Sequence, residues 1–143
     1  HPRSLRPRSW EMATAHSIEI ANAAKDLPAL EALVVDAMRR AENASSAEST
    51  IETAAPAAWR LARDGPPDVR QGTLAVIRRA VQWLASRGDL ESAYALSHMT
   101  NDVASLEDVY RAASRGRGDG DARVMAAVRD RLAEAQNAIS SSS

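Results

Sequence analysis

The sequence predicts an all-α fold, an up-and-down antiparallel bundle of about six to seven helices, on three observations. Apolar residues recur at i, i+3, i+4 and i+7 through successive windows of the chain. No stretch sustains the apolar–polar alternation of a half-buried strand. The apolar set is Ala, Leu, Val, Ile and Met with no Phe, a composition that suits closely approaching helices better than strands. Short connections between successive helices imply antiparallel neighbours; a short α-helical solenoid is the alternative.

Residues 1–11 differ from the rest, with two prolines, three arginines and no helical period. They read as a flexible basic arm or a vector-derived remnant, with Met12 as a native start in the second case. A helical domain over 12–139 and a disordered serine tail over 140–143 follow. The first helix is expected over about 12–25, with Ile20, Ala24 and Leu27 on one face. Asp26-Leu27-Pro28 reads as stop and restart. The second helix runs to about 43 and is strongly periodic through Leu30, Leu33, Val34, Ala37, Met38 and Ala41. Ser45 and Glu48 have capping-box spacing for a third helix through Ile51, Ala55, Trp59 and Ala62. Pro56 inside it predicts a kink at 53–56 or a fresh start.

Asp64-Gly65-Pro66-Pro67 breaks the chain. The fourth helix, about 67–87, carries a stripe of Val69, Thr73, Val76, Ile77, Ala80 and Leu84, with Arg70, Arg78, Arg79 and Gln82 facing away. Gly88 ends it and Asp89 caps a fifth helix over about 90–99. A sixth follows over about 103–114, starting at 105 if Ser105 and Asp108 are its capping pair. Residues 115–121 alternate glycine with charge and read as a loop. A seventh helix, about 121–139, spaces Met125, Val128, Leu132, Ala135 and Ile139 like a coiled-coil seam.

A formal net charge of −1 supplies no field for nucleic acid. Lys25 is the only lysine, so the basic side is almost wholly arginine. With no cysteine, disulfides, thiol catalysis and cysteine-ligated zinc are excluded. No apolar run approaches the ~20 residues that span a bilayer. His98 and Asp102 stand at i, i+4, but nothing supplies a nucleophile with an oxyanion hole. Asp119 and Asp121 lack the spacing and terminal glutamate of a calcium loop. No cofactor is expected.

Four short features carry the binding candidates. Arg39-Arg40 and Arg78-Arg79 are expected as exposed pairs, forming a basic patch if their faces align. Arg117-Gly118-Asp119 matches the attachment tripeptide recognised by integrins, flanked by glycine. Residues 83–94, Trp-Leu-Ala-Ser-Arg-Gly-Asp-Leu-Glu-Ser-Ala-Tyr, resemble the turn of a tetratricopeptide repeat. Val81 and Ser97 depart from that pattern and no second copy follows, which leaves a generic αα-hairpin. Arg3-Ser4-Leu5-Arg6 is similar to the translocation motif of oomycete effectors, without its downstream acidic motif.

These residues point to a non-enzymatic helical interaction domain that binds another protein or self-associates, the latter as a homodimer through the C-terminal helix. The alternative is an anionic-membrane or headgroup-binding, or secreted effector-type, helical domain; an enzyme ranks below both. Trp59 and Trp83 are expected core anchors, and either becomes a contact candidate if exposed. The compartment is left open.

Overall fold

A computed structural model describes residues 14–40, 44–116 and 118–142, the side chains of 44, 45, 119, 141 and 142 excepted. The basic arm and the effector-like tetrapeptide lie outside these residues, as do Trp10, Met12 and Arg117. The described residues form an all-α fold with no strand. Helix α1 covers 14–23 and is followed by α2 (Leu27–Arg40), α3 (Ala44–Ala62), α4 (Pro67–Ser86), α5 (Leu90–Thr100), α6 (Val103–Arg115) and α7 (Asp119–Ser142). The chain divides into two compact units, His1–Val76 and Ile77–Ser143, with the boundary inside α4.

Three of the connections use one device, a residue with left-handed backbone followed by a capping aspartate. At the end of α1, Lys25 has φ 55°, and Asp26 N–H donates to Ala21 O while Lys25 N–H donates to Asn22 O. These are the paired bonds of a Schellman turn, which satisfy carbonyls the helix end would orphan. The Asp26 carboxylate then accepts from Ala29 N–H and opens α2. Gly88, at φ 85°, repeats the arrangement: Asp89 N–H donates to Leu84 O and Gly88 N–H to Ala85 O. Asp89 then caps α5 through Ser92 N–H. Asn101, at φ 53°, ends α5, and Asp102 caps α6 through Ser105 N–H. The α6 cap is therefore Asp102 rather than Ser105, whose hydroxyl also donates to that carboxylate.

In the first unit α2 packs against α3. Leu30, Val34 and Ala37 form the buried face of α2, and Ile51, Ala54, Ala55, Ala58, Trp59 and Ala62 are buried on α3. The alanines let helix backbones approach closely. Full burial of a side chain such as Leu30 or Ile51 stabilises by about 1.5–3 kcal/mol. Ile18 and Ala21 are the buried residues of α1. Helix α3 is continuous through Pro56, so the expected restart does not occur. The ring forgoes one ladder bond, while the bonds on either side keep the helix in register.

In the second unit α5 packs on α6, α6 on α7, and α5 also on α7. Its core gathers Ile77, Ala80, Val81 and Leu84 from α4 with Leu90, Ala93 and Leu96. Leu106, Val109, Ala113, Val124, Val128 and Ala135 complete it. Val69, the first residue of the expected α4 stripe, is 37% exposed because it stands in the helix's opening turn. Helix α7 starts before 121 and continues past 139 to Ser142, so both of its expected ends are corrected. The C-terminal serines up to 142 are helical, where a disordered tail was expected.

Candidate functional site

Helix α2 carries apolar residues on more than its core face. Leu30, Val34 and Ala37 point inward at i, i+4 and i+7. Ala29, Ala32, Leu33 and Val35 instead line an open groove of about 480 Å³, with Ser17 of α1 and with Asp36 and Arg39 of α2. A helix apolar on more than one side is ordinarily covered on more than one side. Two neighbouring hollows prolong the depression: one of about 200 Å³ shares Ser17, Leu33 and Asp36 and adds Arg40 and Thr50. The other, of about 300 Å³, runs between α1 and α3 and is lined by Ile18, Glu19, Ser46, Ser49 and Thr53 among others. At the rim, Arg40 Nε lies 3.0 Å from Asp36 Oδ2, an i, i+4 pair, while Arg39 is exposed. Arg39 and Arg40 thus stand beside the groove, as part of the first unit.

Arg78 and Arg79, which the sequence pairs as one exposed patch, part company. Arg78 does not face freely outward. Its Nε and Nη2 each donate over 2.8 Å to the two carboxylate oxygens of Asp102, joining α4 to the start of α6. Such a two-pronged contact matches guanidinium to carboxylate geometry. The Asp102 side chain is 9% exposed. Burial alone would raise its pKa, but the hydrogen bonds from Arg78 and Ser105, with the Arg78 charge, hold the carboxyl below its ordinary value. Bonding to Asp102 outweighs desolvation at Arg78 and pushes its pKa up. Arg79 is exposed.

One turn beyond Arg79, Trp83 is half-buried rather than a full core anchor, and Arg87 Cζ lies 4.4 Å from its ring centroid. Trp59, by contrast, is buried. The Trp83–Arg87 stack was legible as an i, i+4 pair, but the indole had been assigned to the core.

The attachment tripeptide is only partly describable, Arg117 lying outside the described residues. Gly118 N–H donates to Asp121 Oδ2 over 3.2 Å, and α7 opens at Asp119. Asp119, expected in a loop, therefore belongs with Asp121 to a helical first turn. Acidic residues there are favoured by the unpaired amides and dipole of the helix start.

The residues that came nearest to a catalytic set are committed elsewhere. His98 lies edge-on to Tyr94, with ring centroids 5.7 Å apart. Asn101's left-handed backbone turns the chain between His98 and Asp102, so the two do not share one helix. Ser97 Oγ donates to the carbonyls of Ala93 and Tyr94. Ser105 Oγ donates to Asp102 Oδ2. Among the described residues no cluster of three or more His, Asp or Glu is placed to hold a metal ion, and no helix is long and apolar enough to cross a membrane. The chain matches no family model, no curated protein and no solved structure.

Proposed function

We propose that this chain is a non-enzymatic helical interaction domain that binds a protein partner through the outward face of α2. The observation that carries this reading is the row Ala29, Ala32, Leu33 and Val35 along a groove rimmed by Arg39 and Asp36. Its size and its mix of apolar floor and charged rim suit one face of an amphipathic helix. Docking such a helix would cover the apolar side of α2 that its own core leaves open.

The competing readings draw less support. Self-association through α7 needs its seam, yet Val128 and Ala135 are buried and Ile139, at 61% exposure, stands at the far end. A headgroup-binding patch built on both arginine pairs has two of its four guanidiniums paired with carboxylates, Arg78 with Asp102 and Arg40 with Asp36. The one nucleophile–base set the sequence offered draws no support from its serines, whose hydroxyls donate to backbone carbonyls at Ser97 and to Asp102 at Ser105.

A random-peptide display selection on the whole chain tests the proposal, with Ala32→Arg as the comparison. Ala32 is exposed and lines the groove, so the substitution fills the groove without touching the core. Selected peptides are expected to carry apolar residues at helical spacing and to lose roughly tenfold or more in affinity against Ala32→Arg. Equal binding to both proteins, or no selected peptide, would count against it.

A further inference from the structure

Ser17 lines the groove over α2 from the side of α1. Ile20 follows it at i+3 and so stands on the same side of that helix. Ile20 is 56% exposed, although Ile18 and Ala21 beside it are buried. At the far end of the groove stands Arg39, four residues after Val35 and seven after Ala32 on α2. Arg39 is exposed, with no hydrogen bond or ion pair among the described residues. The carboxylate of the groove wall, Asp36, has its counter-charge in Arg40, 3.0 Å away. Glu19 lines the hollow between α1 and α3 instead. Glu31 and Asp26 stand about 12 and 20 Å back from Arg39 along the helix, beyond the ~10 Å screening length of ordinary salt. Among the described residues, the groove thus pairs one uncommitted positive charge at one end with one exposed aliphatic side chain on its α1 wall.

We infer that the occupant of the groove is an amphipathic helix of a partner protein, which covers Ile20 with an apolar side chain and sets a carboxylate against Arg39. This occupant presupposes docking in the groove, as proposed above, and adds to it the partner's charge and its reach onto α1. From Ala29 to Arg39 the groove follows α2 for about 15 Å, close to three turns of a docked helix. An apolar stripe on that helix would lie on Ala32, Leu33 and Val35 and extend to Ile20. A carboxylate at its edge would meet a guanidinium able to donate two parallel bonds. An anionic bilayer draws on a cluster of cations, whereas Arg40 is engaged by Asp36 and Arg39 acts alone at this rim. A concave floor also receives a helix more closely than a flat membrane surface.

The test displays a library of helical peptides of about 16 residues against the whole chain. The winners are then measured by fluorescence anisotropy on the wild type, Ala32→Arg, Arg39→Glu and Ile20→Arg. All three positions are exposed, so each variant should keep the wild-type circular-dichroism spectrum. Winners are expected to carry Asp or Glu at one position beside an apolar stripe. They should lose roughly tenfold in affinity on Arg39→Glu and roughly fivefold on Ile20→Arg. Exchanging their acid for Lys should restore binding to Arg39→Glu. Winners that are lost on Ala32→Arg but bind Arg39→Glu or Ile20→Arg as tightly as the wild type would overturn this occupant and leave the groove as a docking site. Winners indifferent to Ala32→Arg, or none at all, would overturn both. Phosphatidylserine vesicles that bind the wild type but not Arg39→Glu, with no peptide selected, would replace the partner with a membrane and overturn the helix.

Discussion

Lys25 holds a backbone conformation that L-residues adopt at a cost, with φ 55° at the junction of α1 and α2. Glycine adopts it freely, so Lys25→Gly is expected to raise the unfolding free energy by about 1 kcal/mol in urea denaturation. Gly88 does the same work at φ 85°, and Gly88→Ala should lower stability by about as much. Sequence reading found the glycine, whose residue type announces the turn. It missed Lys25, because a lysine in that conformation leaves no compositional mark. Asp102 is the other residue on which the local structure turns. Its carboxyl pKa is lower in the folded chain than the ~3.9 of an unfolded one, so the carboxylate form favours folding. That stabilisation is complete above the ordinary aspartate range and is lost as pH falls through the folded pKa. Asp102→Asn should therefore lower stability by about 1 kcal/mol at pH 7, since Asn can still cap α6 but cannot keep the charged two-pronged contact with the partly exposed Arg78. The gap between variant and wild type should shrink in denaturation curves recorded at progressively lower acid pH. The pairing spans 24 positions, which is why periodicity could place Arg78 on a face but not find its partner.

Helix α4 shows what an element's sequence does and does not reveal. Thr73, Ile77, Ala80 and Leu84 are buried as their spacing requires, and Leu74 and Val81 widen the apolar face. Thr73 is buried with a hydroxyl oxygen that has no hydrogen-bond partner. Thr73→Val keeps the shape and removes that polar atom, so it should stabilise the chain by about 1 kcal/mol, read as a raised thermal midpoint. On the same helix, Gly72 is exposed, and a Cβ added there meets nothing within 4 Å. Gly72→Ala should likewise add about 1 kcal/mol, purely from helix propensity. At α3 and α7 the local rules gave way in part. Of the two outcomes Pro56 signalled, a kink or a fresh start, the continuous helix excludes the fresh start, and the glycines around 116–120 hid a helix start fixed by the Asp121 carboxylate on Gly118 N–H. In both cases a few hydrogen bonds outweighed a propensity worth only about 1–3 kcal/mol.

Across the whole molecule, the all-α class was legible because it depends on pattern summed over many residues. The candidate site was far less so. Leu33 and Val34 are adjacent apolar residues in the sequence, yet one lines the groove and the other is fully buried. Only packing against α3 decides which of them faces the core, so the open side of α2 becomes visible only in three dimensions. The proposed function rests on that open side. Its most direct test is backbone amide hydrogen exchange of the whole chain with and without a display-selected peptide. Slowed exchange centred on residues 29–39 and the facing part of α1 is the predicted result. Unchanged exchange along α2, with protection confined to other helices, would contradict the assignment.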